Sequence, residues 1–130
     1  MKKPYTHPLP RPVFLNLLQI QMPVGAVTSI LHRLSGVLLA AGVPLGIALL
    51  WRSLASEAGF AQVMALLHQG ACQAVVVVLV WALAHHLLAG VRHMLTDINF
   101  GSTLYAARRS AWAVNIAAAL VALLALGALP

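Results

Sequence analysis

The sequence predicts an all-α membrane protein, with three transmembrane helices forming part of a heteromeric helical bundle. Long apolar runs occupy residues 34–51, 71–91 and 111–129. Each is close to the ~20 residues that cross a ~30 Å hydrocarbon core. Of the 130 residues, 62% are hydrophobic and only 8% are Lys, Arg, Asp or Glu, so a soluble fold has too few polar side chains to cover itself. The formal charge of +6 collects at the ends of the apolar runs and forms no stripe suited to nucleic acid. One domain over 1–130 is expected. Its helices should lie at about 24–51, 71–95 and 108–129, after an N-terminal segment 1–23.

The N-terminal segment carries Pro4, Pro8, Pro10 and Pro12, which favour extended chain and interrupt any apolar signal core. It is neither Arg- nor Ser-rich in the manner of a transit peptide, so a bacterial inner (cytoplasmic) membrane is expected. Pro23 suits the start of a helix, and residues 24–33 read as a helical entry into the first span. Gly42 and Gly46, four apart in that span, permit close helix packing, and Pro44 between them predicts a kink. Residues 52–69 form a loop with a short amphipathic helix holding Phe60, Val63, Met64 and Leu67. The second span contains Gln73, Trp81, His85 and His86, and ends at Arg92 and His93. The third is Ala, Leu and Val around one strongly polar side chain, Asn115. Trp51 and Trp112 read as interfacial-belt residues and Trp81 as packing. The single cysteine, Cys72, excludes an intrachain disulfide and reads as a small packing residue.

Basic residues set the topology. Lys2, Lys3, Arg11 and Arg33 precede or open the first span, and Arg92, Arg108 and Arg109 flank the connection between the second and third. Only Arg52 lies on the other side. The positive-inside rule therefore places the N-terminus and the second connection in the cytoplasm.

Ionisable residues inside a membrane are costly and usually functional. On a helix Ala82, His86 and Gly90 share one stripe, with Ala89 and His93 beside it. An imidazole in a groove of small side chains suits haem, because bulk one turn either side of an axial ligand strikes the macrocycle. The bland alternative is a neutral histidine bonded to a neighbouring helix. His85 points about 100° away and is expected to contact a partner helix. Two axial ligands cannot come from one straight helix. Within the chain only His32 lies at a suitable depth, and a second membrane chain is the simpler source. Three helices also enclose a haem poorly.

A second cluster runs from Ser29 to Gly36. Ser29 and Arg33 share a face, with His32 adjacent. A hydroxyl donor and a fixed cation suit a quinone carbonyl that gains negative charge on reduction. The alternative is interfacial anchoring by a snorkelling Arg33. Arg92 and His93 lie at the same depth, so a positive edge forms that would stabilise haem propionates. Asp97 is expected to pair with Arg92 or Arg33.

Taken together, Ser29-Ile30-Leu31-His32-Arg33-Leu34-Ser35-Gly36 resembles the S-x-x-H-R-x-[ST]-G signature of the succinate dehydrogenase cytochrome b subunit, the larger of the two membrane anchors in that complex. His86-x-x-x-Gly90-Val91-Arg92-His93-Met94-x-x-Asp97 resembles its second signature, H-x-x-x-G-[IV]-R-H-x-x-x-D. Arg11-Pro12-Val13, with Asn16-Leu17, resembles the family's N-terminal segment, although Phe14-Leu15-Asn16 replaces the longer His-containing pattern of some members. The resemblance implies a subunit of succinate:quinone oxidoreductase, respiratory complex II, acting between the tricarboxylic acid cycle and electron transport. His86 matches the family's haem b axial ligand, and so its iron (metal) ligand. Ser29 and Arg33 match its ubiquinone site. His32, Arg33 and His93 fall where haem-propionate contacts are expected. The resemblance also implies a flavoprotein subunit with FAD, an iron–sulfur subunit and a second small membrane-anchor subunit that shares the haem. No catalytic residue is expected in this chain alone. Three alternatives stay open at this point: a haem-free structural anchor, a quinol:fumarate reductase anchor, and a small proton-conducting subunit using His85, His86 and Asp97.

Overall fold

The computed structural model describes residues 21–129, which form four helices: α1 (Val24–Ala55), α2 (Glu57–Leu67), α3 (Gly70–Asp97) and α4 (Leu104–Ala128). The Arg11-Pro12 segment and the rest of 1–20 lie outside the described residues. By length and composition α1, α3 and α4 are each able to cross a membrane, with mean hydropathies of 2.0, 2.2 and 2.1. The fourth helix, α2, is short and apolar.

Local chemistry explains where the helices start and stop. Pro23 supplies the extended residue before α1, and its carbonyl accepts from Ala26 N at 2.9 Å. α1 continues through Pro44. That position loses one backbone hydrogen bond, and a span tolerates the loss where neighbouring groups re-satisfy the backbone. Ser56 caps α2, its hydroxyl accepting from Gly59 N at 3.0 Å, and Glu57 in the first turn favours the helix dipole. Gly59 is needed because a Cβ there would collide with the Arg52 carbonyl. α3 ends in a Schellman motif. Asn99 takes the left-handed conformation (φ 61°), Asn99 N donates to Thr96 O at 3.0 Å, and Phe100 N donates to Leu95 O at 2.9 Å. Thr103 then caps α4 by accepting from Ala106 N at 3.4 Å.

α3 is the central helix, with its most extensive contacts to α4 and then to α1. The buried stripe of α3 is Ala82, His85 and Ala89, and that of α4 is Ala111, Val114 and Ala118. Small side chains at such contacts let helix backbones approach closely, which is how helices associate in a bilayer. Ala82 and Ala89 are therefore spent on helix packing and do not leave a groove beside His86. Gly42 of α1 plays the same part against α3: a Cβ there would lie 2.5 Å from Leu79 Cδ2. Gly46 has no neighbour within 4 Å and instead lines an apolar cleft of about 530 Å³ between α1, α2 and α3. Cys72 is half-buried on the wall of that cleft. Trp51 and Trp112 are exposed, as belt residues are.

Candidate functional site

The α1–α3 contact gathers three imidazoles. His86 of α3 stacks on His32 of α1, with ring centroids 4.2 Å apart and planes 14° from parallel. On its other side His32 meets His93 of α3, at 5.1 Å and 54°. His86 and His93 are seven residues apart, about 10 Å along the helix, and His32 fills the interval from the facing helix.

The hydrogen bonds of His86 fix its chemistry. Its Nδ1 lies 3.1 Å from the His32 backbone carbonyl and 3.2 Å from Ser35 Oγ. A carbonyl only accepts, so Nδ1 carries the proton. Ser35, fully buried, donates its own proton to His32 O at 2.8 Å and leaves its lone pairs facing the imidazole. His86 is thereby held as the Nδ1–H tautomer, with the Nε2 lone pair free of hydrogen bonds among the described residues. That is the state a metal-binding histidine needs, its second nitrogen bonded to a backbone carbonyl. Gly36 makes room for the ring, since a Cβ there would stand 3.0 Å from His86 Cε1 and 3.4 Å from Nδ1.

A haem iron would take an imidazole lone pair from this chain, and the His86 environment fits that need. His32 could not hold the same iron as a second ligand, because an imidazole binds metal in the plane of its ring. For rings stacked 4.2 Å apart and 14° from parallel, the two planes do not meet within bonding distance of both rings. Among the described residues no group of three or more His, Cys, Asp or Glu is placed to hold a metal ion.

Ser29 is half-buried and Arg33 exposed on α1. Neither makes a side-chain hydrogen bond or ion pair to the described residues, so a hydroxyl and a guanidinium are left available one turn apart. Arg92 is committed elsewhere. Its Nε donates to Ser110 Oγ at 3.0 Å and its Nη2 to Ala107 O at 3.2 Å. Gly25 of α1 lies beside the same guanidinium, so Arg92 straps the ends of three helices together. The expected Asp97 ion pair is not formed. Asp97 is exposed at the last turn of α3, and hydrogen bonds to Ser110 and Ala107 O turn the Arg92 guanidinium toward α4.

The placement of His85 sharpens the sequence reading: the helix it contacts is α4 of this same chain, and the ring is fully buried there. Its Nε2 donates to Asn115 Oδ1 at 3.1 Å, and Thr28 Oγ1 lies 3.2 Å from the same oxygen. Thr28 is also fully buried and reaches Val24 O at 3.0 Å. Trp81 leans on the His85 ring, with centroids 5.4 Å apart. Asn115 is the residue that sequence reasoning missed. Its signal was its isolation, one strong polar group in a run of Ala, Leu and Val.

A model of the succinate dehydrogenase/fumarate reductase transmembrane subunit family matches residues 7–126. The succinate dehydrogenase cytochrome b556 subunit of Coxiella burnetii (strain RSA 493 / Nine Mile phase I) is 36% identical over 116 residues, which cover 88% of this chain and 93% of that protein. The succinate dehydrogenase cytochrome b556 subunit of Paracoccus denitrificans is 31% identical over 116 residues, 89% of each chain.

Proposed function

Because this chain belongs to the succinate dehydrogenase/fumarate reductase transmembrane subunit family, we propose that it is the anchor subunit that binds haem b and helps form the ubiquinone-reduction site of a succinate:quinone oxidoreductase. The observation that carries the proposal is the state of His86, with Nδ1–H bonded to an α1 carbonyl and Nε2 left as a free lone pair. Both relatives are succinate dehydrogenase cytochrome b556 subunits, which supports the same role.

In this reading His86 would hold the haem iron through Nε2, and haem b, when bound, would supply a one-electron relay. His32 and His93, with Arg33, would stand on the propionate side. A second small anchor subunit would share the haem. Ser29 and Arg33 hold the quinone head group. The hydroxyl donates to a carbonyl and the guanidinium stabilises the charge that develops on reduction. The reaction balances as succinate giving fumarate, two electrons and two protons in the flavoprotein subunit. The two electrons pass through the iron–sulfur subunit, and quinone takes them up with two protons to become quinol. The N-terminus and the α3–α4 connection face the cytoplasm of a bacterial inner membrane, the side on which the soluble subunits dock.

Two measurements on the purified membrane complex test this. His86→Ala is expected to abolish the reduced-minus-oxidised b-type spectrum, and an unchanged spectrum would reject the ligand assignment. Arg33→Ala is expected to lose most succinate:quinone reductase activity while reduction of a soluble dye by succinate persists. Equal loss of both activities would assign Arg33 to assembly instead.

A further inference from the structure

The haem and quinone reading leaves one buried titratable group unused. His85 is fully buried, and among the described residues its Nδ1 has no hydrogen-bond partner. Leaving a buried polar atom unpaired destabilises a protein, and an apolar residue of similar size at the same place would not do so. What the imidazole adds is its Nε2–H, which meets Asn115 Oδ1 of α4 at 3.1 Å. Thr28 Oγ1 of α1 reaches the same oxygen at 3.2 Å. A single amide oxygen is therefore the meeting point of all three spans.

We propose that His85 and Asn115 are positioning residues for His86. Their hydrogen bond sets the rotation of α3 about its own axis, and that rotation aims the next side chain at α1. The inference rests on the reading of His86 as a haem ligand. Neighbouring residues on a helix point about 100° apart, and a hydrogen-bonded helix turns as one body. Away from the Arg92 hydrogen bonds at one end, the rest of the buried α3–α4 contact is Ala82, Ala89, Ala111, Val114 and Ala118. Such small side chains permit close approach but interlock weakly, so they leave rotation loosely defined. A directional bond at that contact defines it. A turn of about 20° would move an atom ~6 Å from the axis by about 2 Å. That displacement would break the His85–Asn115 bond and, on the opposite flank, the contacts of His86 Nδ1 to His32 O and Ser35 Oγ. The two imidazoles thus hold α3 at two azimuths, one against α4 and one against α1.

The test uses the whole membrane complex and reads the ferric haem by electron paramagnetic resonance, whose g-values report the orientation of the axial imidazoles. Assembled complex is counted by succinate-dependent dye reduction. Asn115→Leu and His85→Leu are expected to shift and broaden the low-field feature with assembly retained. His85→Gln, whose amide nitrogen stands where Nε2 stood, is expected to restore the wild-type feature. Wild-type g-values in the assembled Leu variants overturn the proposal. So does a His85→Gln spectrum as displaced as that of His85→Leu. Should the Leu variants fail to assemble, Thr28→Val decides. It is nearly isosteric and removes the second partner of Asn115 Oδ1, so a displaced feature supports the proposal and an unmoved one overturns it. His86→Ala separates the two levels. Haem retained in that variant rejects the ligand reading itself. Haem lost there, with the other variants silent, rejects only the positioning role.

Discussion

The two flanks of α3 that carry His85 and His86 use one kind of side chain in opposite ways. Toward α4, His85 is fully buried and bonded through Nε2 to Asn115, with Nδ1 left alone. Toward α1, His86 is half-buried and bonded through Nδ1 to a backbone carbonyl and a serine, with Nε2 left free. Their environments select opposite tautomers one residue apart. The inner imidazole joins helices, and the outer one keeps its Nε2 unbonded among the described residues. An intramembrane histidine is therefore not self-explanatory. The nitrogen it leaves unbonded, and whether a ligand can reach that nitrogen, decide what it does.

The largest expected break in this comparison comes from His86→Ala, which should remove the b-type signal from the complex, whereas His85→Gln should leave it in place. A reduced-minus-oxidised difference spectrum compares the two directly. Gly36→Val ranks next. A Cβ there stands 3.0 Å from His86 Cε1, and overpacking of this kind costs about 1–3 kcal/mol. The expected outcome is a several-fold lower haem-to-protein ratio in purified complex, with no comparable loss from Gly46→Val, where the space is open. Ser35→Ala is milder. It removes one of two acceptors at Nδ1 and leaves the carbonyl, so haem should stay bound while its midpoint potential moves. One hydrogen bond of about 0.5–1.5 kcal/mol sets the scale, and a redox titration reads it. The smallest effect belongs to Thr28→Val, about 0.6 kcal/mol for an interhelical hydrogen bond in a membrane. It should show as a slightly lower thermal midpoint of the detergent-solubilised complex.

Much of the architecture was readable from the chain because hydropathy and length alone constrain a spanning helix. The short helix with Phe60 and Val63 was readable for a similar reason, because it follows from local apolar pattern. The partners of the polar groups were not readable. Helix periodicity gives the angle between His85 and His86 but not which neighbour lies at either angle, so a contact of His85 with another helix could be expected but Asn115 could not be named as its partner. Ala82 and Ala89 suggested an open notch, since small residues beside a histidine look alike whether a ligand or a helix fills the space. The Asp97 ion pair failed for a related reason. Opposite charges close in sequence invite pairing, but Arg92 and Asp97 are five residues apart and so point in different directions around α3, and Ser110 Oγ and Ala107 O hold the guanidinium against α4. Ser35 lay within a recognised motif, yet its contact with His86 spans 51 positions, a separation that no local pattern encodes.

The acceptor that the His32 main chain offers to His86 has a consequence for inherited variation. A point mutation at position 32 exchanges the imidazole there but keeps the peptide oxygen, so long as α1 stays helical. Ser35 is the only side chain in the pair of acceptors. Lineages drifting at these positions can therefore retune the electron-donating strength of His86 in small steps through residue 35, while the peptide group preserves a minimum that no single codon change erases.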